Sequence, residues 1–489
     1  MLYKLKTILK HTLIYSLGNI STKLVGFVLL PLYTTFLSIN EYGIFAILEI
    51  STTVIVALFS FGLSTTMMRW CSVEKNASKL KSIVFTTYIT SLLIVFSLNV
   101  LLYPFHESLS FLFFDTSAYK LYFLVLITSG SFEILNLISL DLIRLKEKPY
   151  LYIFVTISKI IVVLSLNIYF IKYQNLGILG ILISSLIGNV LTTLITVPIL
   201  LKNMIPKYNV KELASMFNYG FPLIFMSISM ILLTMSDRYI IKYYLDYSQV
   251  GIYSLGYKIA SVINVFIIQS FQTGFLPIAY KNFDKQDANR FFSKTLTYYT
   301  YVLVFCSLGL SLFSQEIIEI FSKNTDYFSA YTIVPFIALA FVFKGIQYIY
   351  SLGMHFMKKT KYNAIVVLGA ALLNISLNFV LVPLYGIYGA AAATIISWIF
   401  MSFAFYRYTM KYYKIDYELK KIVLLVLIGI MLFLLSYTFS EVQFYLKIVL
   451  KALLFIMFPF ILFVFNFYEK IEILRIKEIL IKRKIKSDK

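Results

Sequence analysis

Little in this chain is suited to catalysis. Its 489 residues include two cysteines and three histidines, and 23 acidic residues stand against 44 basic ones. Cys71 lies in a basic stretch and Cys306 in an apolar one, which argues against a disulfide and leaves no metal-binding spacing. His11, His106 and His355 are equally scattered. No GxxxxGKS, GxxxxGKT or HExxH stretch occurs, so nothing points to ATP hydrolysis or zinc chemistry, and no cofactor or metal is expected. Charge is scarce as well, at 14% of residues. An ordinary water-soluble globule is near half apolar, whereas this chain is 60% hydrophobic with mean hydropathy +0.83. These values imply an integral membrane protein.

The apolar residues fall in blocks of about 20 or more, enough for a helix to cross about 30 Å of hydrocarbon. Barrel strands would be shorter and would alternate polar with apolar residues. The pattern predicts an all-α membrane protein with fourteen spans, at 11–37, 42–68, 82–104, 119–143, 150–172, 177–201, 213–243, 250–280, 294–314, 329–353, 362–383, 387–410, 420–440 and 444–468. The first is too long for a signal-peptide core and lacks a small-residue cleavage site after it, so it is expected to stay in the mature chain.

Orientation follows from the basic residues, because short loops rich in Lys and Arg stay cytoplasmic. Alternate loops hold Arg69, Lys75, Lys79 and Lys81, then Arg144, Lys146 and Lys148, then Lys202, Lys207 and Lys211, and so on to the tail. They collect three quarters of all basic residues, against Lys120, Lys172, Lys242, Lys323 and Lys447 in the opposite loops. Both ends are therefore expected in the cytoplasm. The net charge of +21 is accounted for by topology and does not mark a nucleic-acid binder. The tail 470–489 has helix-like apolar spacing with Lys and Arg between, and is expected to lie on anionic lipids.

The sequence also repeats itself. "EYGIFAILEI" at 41–50 returns as "QVGIYSLGYKI" at 249–259, "LSLNIYF" at 164–170 as "ISLNFVL" at 375–381, and "GILG" at 177–180 as "GIYG" at 386–389. The basic turn "LKEKPY" at 145–150 is answered by "MKKTKY" at 357–362, again about 210 residues on. Six spans are thus repeated in the same orientation, a transporter plan with substrate between the halves. The expected units are 1–205, 206–414, an added helix pair at 415–469, and the tail.

"SDRYII", "VGIYSLGYKIAS", "SLNFVLVPLYGIYGAAAAT" and "GNISTKLVGFVLLPLYTTFLSINEYGIF" resemble the Wzx-type polysaccharide-biosynthesis flippases. Their superfamily includes the MATE drug exporters and the MurJ-type flippases. The resemblance covers nearly the whole chain and implies a MATE/MurJ-like fold in the cytoplasmic membrane of a bacterium or archaeon. It implies export of a polyprenyl-diphosphate-linked oligosaccharide for a surface polysaccharide such as O-antigen or capsule. Polymerase and chain-length proteins of the same pathway are the implied partners. MATE-type proteins generally have twelve helices, so the added pair favours the lipid-linked glycan branches.

Charges inside spans are rare and mark candidate sites. The cations are Lys23, Lys159, Arg238, Lys258, Lys344 and Lys451, and the acids Glu49, Glu133 and Asp237. A cationic cavity suited to a diphosphate is expected, with Lys23, Lys159, Arg238, Lys258 and Lys344 as its binding groups. Gln269 and Gln272 join them, since separations of 11 and 14 residues would return an α-helix to the face of Lys258. Asp237 and Arg238 read equally as substrate contacts or as an interfacial ion pair. Glu133 is a coupling carboxylate or, preferably, the partner of a lysine. Asn167 and Asn378 are expected in helix contacts. The rival functions are an ion-coupled efflux pump for small cations, which would be expected to have a net acidic cavity, and a glycan polymerase or ligase, for which the outer segment at 105–118 is too short.

Overall fold

The computed structural model describes residues 25–357, 360–439 and 442–469. Lys23, the tail 470–489 and the start of the first expected span lie outside the described residues. Among those described there is no strand. In hydrocarbon each backbone N–H and C=O must be paired within its own segment, and runs of Leu, Ile, Phe and Val leave helix as the available solution.

In chain order the helices are α1 (Val25–Phe36), α2 (Ile39–Phe59), α3 (Leu63–Val73), α4 (Ala77–Leu102), α5 (His106–Phe114), α6 (Lys120–Leu145), α7 (Pro149–Ile168), α8 (Gly177–Lys202) and α9 (Val210–Tyr244). They continue as α10 (Tyr247–Val262), α11 (Gln269–Asn282), α12 (Ala288–Leu312), α13 (Ser314–Phe321), α14 (Val334–Phe356), α15 (Thr360–Tyr412), α16 (Leu419–Leu435) and α17 (Phe444–Val464). Among the described residues, twelve helices are long and apolar enough to cross a membrane. One of them, Tyr362–Tyr412, holds two expected spans joined at Gly386, and α1 is the described end of the first. Fourteen spans are compatible with this arrangement.

The sequence repeat has a backbone counterpart. Gly177 and Gly386, the first glycines of "GILG" and "GIYG", both have positive φ, at 51° and 60°. Each sits at the turn between the fifth and sixth span of its half, where a residue with Cβ would be strained. Ser38 caps α2 through a reciprocal box with Glu41, and Asp246 caps α10 by accepting from the Gln249 N–H at 2.8 Å. These two caps lie 208 residues apart, in step with the repeat.

Helices before residue 203 pack largely on one another, α8 against α6 and α7 for example, while α9 and α14 pack on α15. The principal crossing between the two sets is α2 on α10. Helices α16 and α17 add to the outside of α12. They are fastened by Lys294, which donates to Glu418 at 2.8 Å and also pairs with Glu469, and by buried Lys451, which donates to Glu316 of α13 at 2.5 Å.

Candidate functional site

A cavity of about 780 Å³ lies between the repeat-related sets of helices. From the first half its walls are α1, α2, α3, α6, α7 and α8, and from the second α9, α10 and the turn that follows α10. Helix α2 and its C-cap Ser60 contribute Tyr42, Phe45, Glu49, Thr52, Thr53, Val56, Ala57 and Ser60. Those positions follow the three-and-four spacing of one helical face, so this polar stripe was present in the sequence and was not singled out there.

Four of the candidate residues come together in this lining: Lys159, Lys258, Glu49 and Glu133. The Lys258 ammonium reaches from α10 across to α1, where a Cβ added to Gly26 would lie 2.9 Å from it. Its nearest carboxylate is Glu49, at 4.0 Å, and the Glu49 side chain is 57% exposed to the cavity. Lys159 donates to Asn189 Oδ1 at 2.6 Å. Glu133, expected to partner a lysine, comes within 4.0 Å of no basic group among the described residues. The described lining therefore carries two cations and two acids, where a cationic excess was expected. Hydroxyls and amides make up much of the remaining polarity, including Tyr33, Thr65, Asn167, Ser185, Ser227 and Ser261.

The other candidates lie elsewhere: Arg238 is on the same face of α9 as the cavity-lining Ser227 but roughly 16 Å farther along the helix, and Lys344 is on α14, which is outside the lining. Arg238 is 6% exposed and Asp237 1% exposed, and neither lines the cavity. The guanidinium donates to Asp237 Oδ1 at 2.6 Å and to the Thr234 carbonyl at 2.7 Å, and sits 4.0 Å over the Tyr257 ring. The Tyr253 hydroxyl donates to the second Asp237 oxygen at 2.5 Å. All of these partners belong to the second half. Lys344 lies over the rings of Trp398 and Phe341, at 5.2 and 5.5 Å, between α14 and α15.

Gln269 and Gln272 fall outside the lining for another reason. Residues Ile263–Ile268 form a π-helical turn between them and Lys258. The wider turn accommodates an extra residue, so everything after it is displaced by about 100° from the α-helical phase assumed from the sequence. Asn167 and Asn378 are both fully buried and donate to the carbonyls four residues back, at 2.8 Å each. Asn167 in addition accepts from Tyr33 at 3.1 Å on the cavity wall.

At the end away from the basic loops the cavity is closed by contacts between the halves. Tyr327, fully buried, donates to the carbonyls of Leu37 and Ser38 at 3.1 and 3.0 Å. Thr34 donates to the Phe321 carbonyl at 2.7 Å, Tyr247 to the Phe113 carbonyl at 2.9 Å, and Lys242 to Asp115 at 2.8 Å. At the basic end the two sets meet along one side, where Glu212 accepts from Trp70 at 3.1 Å and pairs with Lys79 at 3.0 Å.

The sequence model of a family described as "Polysaccharide biosynthesis protein" matches residues 8–283, and that of MatE matches residues 222–380. No curated protein matches the chain in sequence. Among solved structures, one titled lipid II flippase MurJ in an inward closed conformation superimposes with a TM-score of 0.76 at 18% identity, over 93% of this chain and 100% of that one. A multidrug resistance MATE family transporter of the MOP superfamily, inward-facing, gives 0.66 at 13% identity, over 84% and 95%. The Vibrio cholerae MATE transporter VcmN in its bent form gives 0.56 at 13% identity, over 86% and 98%. At such identities the likeness is one of fold.

Proposed function

The chain belongs to the polysaccharide biosynthesis protein family, a family of multi-pass membrane transporters, and on that premise we propose that it flips a polyprenyl-diphosphate-linked oligosaccharide from the cytoplasmic to the outer leaflet. The observation that carries this reading is that Lys159 and Lys258 stand on opposite halves and line one cavity. A diphosphate between them would bridge the halves and tie cargo binding to their relative motion. The units 1–205 and 206–414 are the rocking bodies, and 415–469 is an accessory pair. The closed end faces outward, so the cavity loads from the cytoplasmic side. With the cell interior negative, outward movement of an anion gains about 2.3 kcal/mol per charge per 100 mV, which allows transport without ATP.

The hydroxyl-rich wall supports a saccharide cargo, because hydroxyls and amides pair with sugar hydroxyls at little desolvation cost. The MatE match over residues 222–380 supports a second reading, small-molecule efflux. The two are separated in proteoliposomes holding a short-chain polyprenyl-diphosphate disaccharide, whose arrival in the far leaflet is read by a membrane-impermeant glycosidase. The Lys159→Ala/Lys258→Ala double variant should flip poorly while reaching the membrane in normal amount. Wild-type flipping by that variant sinks the proposal, and drug hypersensitivity of cells lacking the protein, with flipping absent, favours efflux.

A further inference from the structure

Resting on the flippase reading, we infer that Asn189 is a positioning residue that holds Lys159 as the cavity's open anion site, and so sets the preference for a phosphorylated over an uncharged isoprenoid. The two cavity lysines are not equivalent. Lys258 has a carboxylate at 4.0 Å, whereas Lys159 has none within that distance among the described residues. Among the described residues its ammonium donates to a neutral amide oxygen, Asn189 Oδ1, at 2.6 Å. An ammonium has three N–H groups, so two are left for a ligand. A neutral acceptor does not cancel the ammonium's charge as a carboxylate in direct contact would, and Glu133, on the same cavity wall, lies beyond ion-pair distance.

The amide is oriented from behind. Asn189 Nδ2 donates to the Ser129 carbonyl at 3.2 Å and to its hydroxyl at 3.0 Å, which turns Oδ1 toward Lys159. The Asn189 backbone carbonyl accepts from Asn136 Nδ2 at 2.9 Å, and Thr193 donates to Asn136 Oδ1 at 2.9 Å. Asn189 is fully buried, so this network fixes one orientation. The preceding residue makes room for the lysine stem: a Cβ on Gly188 would lie 3.4 Å from Lys159 Cγ and 2.5 Å from Val163 Cγ2. Nothing in the sequence pattern separated Asn189 from the other polar residues of its span, because its role depends on α6, α7 and α8 meeting.

The test uses the full chain in nanodiscs, with farnesyl diphosphate, farnesyl monophosphate and farnesol as probes. Wild type should bind the diphosphate well above farnesol. Asn189→Asp places a carboxylate on the ammonium and should reduce diphosphate affinity about tenfold while leaving farnesol unchanged. Asn189→Leu keeps the volume, removes the acceptor and should reduce the same preference; it carries the test if the aspartate variant does not fold by thermal unfolding. A merely structural role would weaken all three probes together, and that result, or a wild-type preference in either folded variant, overturns the inference. If the wild type itself does not prefer the diphosphate, the flippase reading falls and this inference falls with it.

Discussion

Gly43 and Gly251, matched by the sequence repeat, meet where α2 crosses α10. A Cβ on Gly43 would lie 1.8 Å from the Tyr247 carbonyl oxygen and 3.0 Å from the Gly251 nitrogen, and one on Gly251 would lie 2.3 Å from the Ile39 carbonyl oxygen. Neither can acquire a side chain without the two backbones separating. The same residue type at the same place in both halves is what lets them close on each other at this end.

Gly43→Ala or Gly251→Ala should therefore open the closed end. Overpacking of this kind costs about 1–3 kcal/mol, and separation of the halves relieves it. A single cysteine at Thr52, on the cavity wall, should then react faster with an impermeant thiol reagent added from that side. Unchanged labelling would show that the crossing is not a gate.

Arg238→Ala should lower the amount of folded protein, because it leaves the buried Asp237 carboxylate without its guanidinium. Removing one member of a buried pair costs about 3–5 kcal/mol, whereas removing both charges is often near neutral. Asp237→Asn/Arg238→Gln should accordingly recover abundance and monodispersity in detergent, and should flip substrate at a rate near wild type. A double variant that folds well yet does not flip would return the pair to the substrate path.

The clasp on the added helix pair should be sensitive to acid. Burial raises the Glu418 carboxyl, but hydrogen bonds from Lys294, Thr297 and Lys421 outweigh it and hold the group below its ordinary value of 4.5. A depressed folded value contributes stability that is present above 4.5 and lost as pH falls through the folded value. Thermal unfolding between pH 7 and pH 3 should show this loss in the wild type. Glu418→Gln should start less stable at pH 7 and change less over that window; an equal acid slope in both would remove Glu418 as the cause.

Reporter fusions after residues 146, 208 and 286 should report cytoplasm, and those at 110, 174, 246 and 324 the opposite side. One reversed loop would overturn both the orientation and the span count.

Composition and pattern determined much of this protein before any contact was known. Apolar runs of bilayer length leave the backbone one way to satisfy itself, so helices followed from residue type alone. The repeat was equally legible, because Gly177 and Gly386 answer the same local backbone demand in each half, and Gly43 and Gly251 recur where the halves cross. Which charges face the cavity was decided by tertiary structure. Lys159 and Arg238 are alike in the sequence, each a cation in an apolar run, yet one lines the cavity and the other is enclosed by Asp237, Tyr253 and Tyr257. The neighbouring helices separate them: Lys159 faces the gap between the halves, whereas Arg238, on the same face of α9 as the cavity-lining Ser227, is covered by α10, and a single π turn at Ile263–Ile268 moved Gln269 and Gln272 off the face that α-helical counting assigned them. The neutrality of the described lining has the same origin. Composition counts every charge in a span, while the field at the substrate is set by the few whose partners lie across a gap between helices.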